Sequence, residues 1–364
     1  MKRDSSLLII TGLFLACCGI GWCGPMVAPK PLSASIHEAD FVVIAKLGTF
    51  TPDKSSDDAQ VSQSQLVVDI LASYPAGQYT FTSATFLKGN LPDKTRLRIH
   101  LPVVSAYYYD SKFTVPTGTY VLLLLKENEQ SQLVPVDQTI PFVPLGSSGV
   151  FASAMKPVAP SRTENEVISV MLMTLDSPST RKVNMHLLRS QVDSGISARL
   201  TPYENDPDKD FRDDVLFCLI RNQQVQAIPL MAQLSASRFK ETGGGASIGA
   251  FEYLKAKEAV PYLNPLLSSV SPSIRQSAAL ALRRLADKTS LPYLFNGLEQ
   301  SDPQGVTLYE EYATLHRLLS RLGTTKSLPA FLDQREATLK ATRSWWIKHQ
   351  QEFMPKATSA SSKT

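Results

Sequence analysis

The sequence predicts an α+β protein of two parts, a small β-barrel followed by an α-solenoid of helix pairs. Three observations predict it. From Ala34 to about Pro144 the apolar residues fall in short, alternating, β-branched runs. From Thr163 to about Glu352 they recur at helical spacing. Within that second stretch, four apolar–proline segments return at a nearly fixed interval. The 364 residues, 43% hydrophobic and 19% charged, hold about two domains at roughly 150 residues each and exclude wholesale disorder.

Residues 1–24 read as a signal peptide: Lys2-Arg3, an apolar stretch from Leu7 to about Ile20, then small residues. That stretch is shorter than the roughly 20 residues a membrane-spanning helix needs. Cleavage after Cys18 or Gly21, lipidation at Cys17 or Cys18, and an uncleaved anchor all stay open. The body is expected to be exported, to the periplasm, cell envelope or outside. Membrane contact is expected only through this segment. Cys17, Cys18 and Cys23 lie in it, so Cys218 alone remains for the body. An internal disulfide framework and a multi-thiolate zinc site are thereby excluded. In Val-Leu-Phe-Cys-Leu-Ile, Cys218 reads as a buried, inert thiol.

The barrel is expected over residues 34–145. After a short helical stretch near Ile36–Asp40, its strands are read at 41–47, 65–71, 78–86, 96–101, 120–125 and 133–136. Leu97, Ile99 and Leu101 alternate with Arg96, Arg98 and His100, as a half-buried strand requires. Tyr120-Val-Leu-Leu-Leu-Leu125 reads as a strand buried on both faces. Lys88-Gly89-Asn90 carries turn chemistry, and Pro135 marks an edge. Residues 146–162 form a Gly/Ser/Pro-rich linker, 163–355 the helical repeat domain, and 356–364 a frayed tail.

The helical part opens at Thr163-Glu-Asn-Glu166, a cap-like start with Val167, Ile168, Met171 and Leu175 behind it. The repeated segments are Ile228-Pro229-Leu230, Val260-Pro261-Tyr262, Leu291-Pro292-Tyr293 and Leu328-Pro329-Ala330, with prolines 32, 31 and 37 residues apart. Proline suits the first turn of a helix, where its missing N–H has no intrahelical partner. Leu254, Leu285 and Leu322 stand six residues before the last three apolar–Pro pairs and are expected to end the preceding helices. Ile274, Ala278, Ala281, Leu282 and Leu285 make one apolar stripe. A period of this length built from helix pairs is the signature of an α-solenoid.

Ile274-Arg275-Gln-Ser-Ala278-Ala279-Leu-Ala281-Leu282 followed by Leu291-Pro292-Tyr293-Leu294 resembles a HEAT-like repeat of the bilin-lyase type, over roughly Asp206 to Gly323. The closing Ala341-Thr-Arg-Ser-Trp345-Trp346-Ile-Lys-His349 is similar to the last helix of exported bacterial HEAT proteins. Glu38-Ala-Asp40-Phe-Val-Val-Ile-Ala-Lys46, Phe86-Leu-Lys-Gly-Asn90 and Gly118-Thr-Tyr-Val-Leu122 resemble the netrin-like, OB-type β-barrel. These resemblances imply binding rather than chemistry. Repeat similarity alone implies no bilin site.

The search for chemistry points the same way. The five histidines form no His-x-x-x-His pair, so zinc-hydrolase spacing is missing. No metal or cofactor is expected, and no catalysis. His316 reads as a partly buried structural residue and His100 as solvated. Gly243-Gly-Gly245 reads as a flexible turn, lacking the Gly-Lys-Ser/Thr of a phosphate loop. The acids from Glu204 to Asp214 read as a solvated loop with helix N-terminal charges. A net charge of +4, with 11 Lys/Arg against 8 Asp/Glu over residues 273–352, argues against nucleic acid as partner. Candidate binding residues are Tyr107, Tyr108 and Tyr109, whose rings suit a sugar or a protein anchor or else cap the barrel core. Arg275 and Arg283, on a mildly basic helical face with Arg284, Arg317 and Arg321, and Trp345 and Trp346 complete the set. The tryptophans either seal the end of the solenoid or expose an aromatic patch. The expected function is that of an exported protein-binding or scaffold protein whose partner is another protein. The alternative is an envelope hydrolase, protease inhibitor or carbohydrate-binding protein with its site on the barrel loops.

Overall fold

A computed structural model of the chain describes residues 30–52, 72–74, 77–91, 97–101, 104–106, 118–137, 141–146, 162–178, 180–193, 195–242, 247–299, 308–322, 328–329 and 335–353. The protein is an N-terminal curled antiparallel sheet, a half-barrel, followed by a helical region.

The first part begins with helix α1 (Leu32–Glu38) and runs through β1 (Phe41–Pro52), β2 (Ala72–Tyr74), β3 (Gly77–Lys88), β4 (Leu97–Leu101), β5 (Val104–Ala106), β6 (Tyr120–Glu127), β7 (Leu133–Pro135) and β8 (Val143–Gly146). The main sheet has the order β4-β3-β1-β6-β7, with β8 also on β6, and β2 pairs with β5 in a separate ribbon. All pairings are antiparallel. The edge strands β4 and β7 approach each other but share no ladder among the described residues, so the expected barrel is a curled, open sheet. Bulges in β1 drive the curl, because an extra residue increases local twist. At one of them Gly48 leaves room that the Thr80 hydroxyl fills, 2.7 Å from where a Cβ would stand. That hydroxyl accepts the Thr49 N–H at 2.8 Å. Gly89, at φ +74°, ends β3; a Cβ there would meet Asp40 O at 2.6 Å.

Alternation assigns the two faces of the sheet. Val43, Ala45, Leu47, Val121, Leu123 and Leu125 pack inside the curl with Tyr79, Phe81, Ile99 and Phe142. Val42, Ile44, Leu122, Val143 and Leu145 face the other way, into the core of the helices. The continuous apolar runs of β1 and β6 follow from this, since neither strand has a solvent face. The expected 65–71 strand lies outside the described residues.

The helical region comprises α2 (Thr163–Met173), α3 (Arg181–Leu188), α4 (Ile196–Leu200), α5 (Lys209–Arg221), α6 (Ala227–Thr242), α7 (Val260–Leu263), α8 (Pro272–Leu285), α9 (Leu291–Glu299), α10 (Leu308–Arg321) and α11 (Arg335–Phe353), with several 3-10 turns between. The sheet and helices share one hydrophobic core. Val167, Val170 and Met171 of α2 lie in it beside Leu32 and Ile36 of α1. Asn184 of α3, fully buried, donates from Nδ2 to Pro144 O on β8 at 3.0 Å and ties the two parts by a polar bond. The linker expected at 146–162 is described only at its ends, Gly146 and Arg162.

The helices pack in two rows. In one, α3 lies on α5, α5 and α8 both lie on the 3-10 turn Ile248–Tyr253, and α8 lies on α10. In the other, α6, α7 with the turn Asn264–Ser268, α9 and α11 follow one another. Side chains at the ends of first-row helices reach back to the carbonyls that end the preceding unit. Asn222 Nδ2 donates to Gln191 O at 2.9 Å, Arg284 to Glu252 O, and Arg321 NH1 to Arg283 O and Arg284 O at 2.9 and 3.0 Å. These links span 31, 32 and 37–38 residues, the same interval as the prolines. Pro261 and Pro292 sit in the first turns of α7 and α9, as expected. Pro329 does not: it is irregular, and α11 starts at Arg335. The unit from Ile248 to Ser268 is contracted into 3-10 turns and one four-residue helix. Its sequence explains this, because Pro265 donates no N–H and Gly249 adds backbone freedom.

Candidate binding groove

The acidic stretch is absorbed by neighbouring cations. Asp208 caps α5 by accepting from Asp210 N and Phe211 N at 3.1 and 3.3 Å, and pairs with Lys182 at 3.0 Å. Burial pushes its carboxyl up, but the Lys182 bond and the two backbone N–H groups outweigh this and hold it below the usual carboxylate range. Asp206 meets Arg181 at 3.0 Å, and Asp210 meets Arg238 at 2.5 Å. Asp214 holds Arg189 at 3.0 Å and His186 Nδ1 at 3.1 Å. Asp213 accepts Ser247 N at 2.9 Å; burial is the largest influence on its carboxyl and raises it. These pairs clamp α3, α5 and α6 together and leave the stretch structural. Among the described residues no three His, Cys, Asp or Glu side chains are grouped to hold a metal ion.

Several sequence-derived candidates are built into the core. Arg275 is 3% exposed, and its NH1 donates to Ser269 O at 2.8 Å, pinning the turn that precedes α8. Trp345 and Trp346 are 9% exposed. Their rings stack on Phe295 of α9 at centroid distances of 5.8 and 4.4 Å. The Trp345 carbonyl also stands 2.8 Å from His349 Nδ1. Burial pushes the Cys218 thiol up to about 12. Tyr107, Tyr108 and Tyr109 lie outside the described residues, as does Gly243–Gly245.

An open groove lies between the C-terminal ends of α8 and α10. Arg283, Arg284, His316, Arg317, Ser320 and Arg321 line a cavity of about 650 Å³. His316 and Arg317 are exposed on α10, against the expectation that His316 is structural. They share a face with Ser320 and Arg321 because these residues stand one turn further on. Arg321 is held in place by its bonds to the Arg283 and Arg284 carbonyls. Those are last-turn carbonyls of α8, which have no intrahelical donor. Arg284 pairs with Glu252 at 3.3 Å. Of the candidate binding residues, Arg283 lines the groove, and Arg275, Trp345 and Trp346 do not. Its other members were legible only as a mildly basic face. The usable signal was the i, i+1, i+4, i+5 spacing of His316, Arg317, Ser320 and Arg321 at a helix end opposite Arg283-Arg284.

No protein-family model, curated protein or solved structure matches the chain.

Proposed function

We propose that this chain is an exported protein-binding or scaffold protein, that its helical part is an α-solenoid of HEAT-like pairs, and that its partner is another protein. The two-row packing and the back-reaching bonds at a 31–38-residue interval support the solenoid reading. The OB-like reading of the half-barrel rests on its bulged, curled antiparallel sheet. The observation that carries binding is the open arginine-lined groove between α8 and α10. It offers fixed guanidinium donors on a rigid pair of helices, which is what recognition of a partner needs.

The test is co-purification of the tagged full chain from its native envelope fraction, with mass-spectrometric identification of what is retained. A defined protein retained by the wild type, and lost when Arg283 and Arg317 are both changed to glutamate, supports the reading. A partner set unchanged by that double substitution moves the binding surface away from the helices. Retention of nothing above background, in extracts where the chain is folded, sinks the reading.

A further inference from the structure

We infer that the α8/α10 groove takes an acidic, extended peptide segment, with carboxylates on alternate residues. This rests on the binding-protein reading and names the chemistry of the partner.

Charge is the first argument. Four guanidinium groups line the groove, and that of Arg284 pairs with the Glu252 carboxylate. Two helix C-termini also end at the groove, each worth about half a negative charge. Arg284 is balanced by Glu252, Arg321 by the α8 carbonyls, and Arg283 has an interaction of its own, so the charge left over among the described residues is that of Arg317. Among the described residues no carboxylate stands within ion-pairing distance of Arg317. The bland explanation, that these arginines merely complement two helix ends, accounts for Arg321, whose NH1 caps α8. It does not account for Arg317, which stands a full turn earlier on the exposed face of α10.

Spacing is the second argument. Arg317 and Arg321 are four residues apart on one helix, a rise of about 6 Å. Alternate side chains of an extended strand lie on one face about 6.6 Å apart. An extended segment laid along α10 thus brings successive carboxylates opposite successive guanidinium groups, where each pair can form a two-point, charge-assisted contact. A compact phosphate suits the groove less well. Phosphate sites use convergent backbone N–H groups at helix N-termini, whereas α8 and α10 present C-termini here. A cavity of about 650 Å³ also exceeds what one tetrahedral anion fills.

The experiment is fluorescence polarisation with the full chain and a labelled acetyl-(Glu-Ser)3-amide peptide, its (Gln-Ser)3 counterpart, and inorganic pyrophosphate as competitor. The expected result is saturable binding of the glutamate peptide and at least tenfold weaker binding of the glutamine peptide. The glutamate affinity falls as NaCl rises. Arg317→Glu is expected to weaken it at least tenfold without moving the melting temperature, and Arg317→Lys to give an intermediate loss. Equal binding of the two peptides, no binding of the glutamate peptide, or an affinity unaffected by Arg317→Glu overturns the proposal. Pyrophosphate binding more tightly than the peptide overturns it in favour of a phosphoryl ligand. If the peptide fails while the full chain still retains a partner, this inference falls and the binding-protein reading stands. If both fail, both fall.

Discussion

Replacing Arg275 separates a residue that holds the fold from one that meets a partner. Its side chain is 3% exposed and donates to Ser269 O at 2.8 Å, where the turn Asn264–Ser268 hands over to α8. Arg275→Ala removes a hydrogen bond from a charged donor, worth roughly 1.5–3 kcal/mol, and leaves the Ser269 carbonyl without that donor. The lost stem packing adds to this, so the expected cost is about 3 kcal/mol. At about 2 °C per kcal/mol for a chain of this size, the melting temperature should fall by about 6 °C. Arg275→Met restores the stem but not the donor and should recover only part of the loss. The assay is thermal unfolding by circular dichroism, alongside acidic-peptide affinity at a temperature where both variants are folded. An Arg275→Ala variant that melts like the wild type contradicts a structural role for this side chain, more firmly if it loses peptide affinity at the same time.

Trp346→Ala should cost about 3–5 kcal/mol, because it removes the ring stacked at 4.4 Å on Phe295; chemical denaturation checks this, and a change below about 1 kcal/mol contradicts it. Cys218, raised to about 12 by burial, should stay unalkylated in the native chain at pH 8 and react once unfolded, as peptide mapping will show. Asp208→Asn keeps an N-cap acceptor but removes a carboxylate that sits below its usual value in the folded state. The contribution of such a group is full above the unfolded value of 3.8 and lost as pH falls through that value toward the lower folded one. Stability of the variant should therefore decline less than that of the wild type on the acid limb. Asp208→Ala also loses the cap and should cost about 1 kcal/mol at neutral pH.

The strands that were easiest to read, β1 and β6, were also the most incompletely understood. Their apolar runs announce burial on both faces, but a sequence does not say what covers the second face. A closed barrel was the local answer; the structure supplies an open sheet whose outer face enters the helical core through Val42, Ile44 and Leu122. The helix pairs were legible where stripe and proline agree, as in α8 and α9. The signal failed at Ile248–Ser268, where the same apolar–Pro pattern is overruled by Pro265 and Gly249. Among the candidate residues, Arg275 reads as part of a basic face because it lies beside the apolar stripe of Ile274, Ala278 and Leu282. The packed face is wider than that stripe, for Ala279, one turn on from Arg275, is buried as well. His316 failed in the opposite sense: beside Leu315 it looks interior, yet the neighbouring position on a helix points 100° away.

The most direct measurement places a photo-crosslinking amino acid at Ser320, an exposed residue on the lining of the groove, in the full chain expressed in its native cell. Adducts are then sequenced by mass spectrometry. The expected adduct is a peptide with Asp or Glu at alternate positions, lost when Arg317→Glu is added. A neutral or basic peptide, or an adduct that persists with Arg317→Glu, would contradict an acidic ligand for this groove.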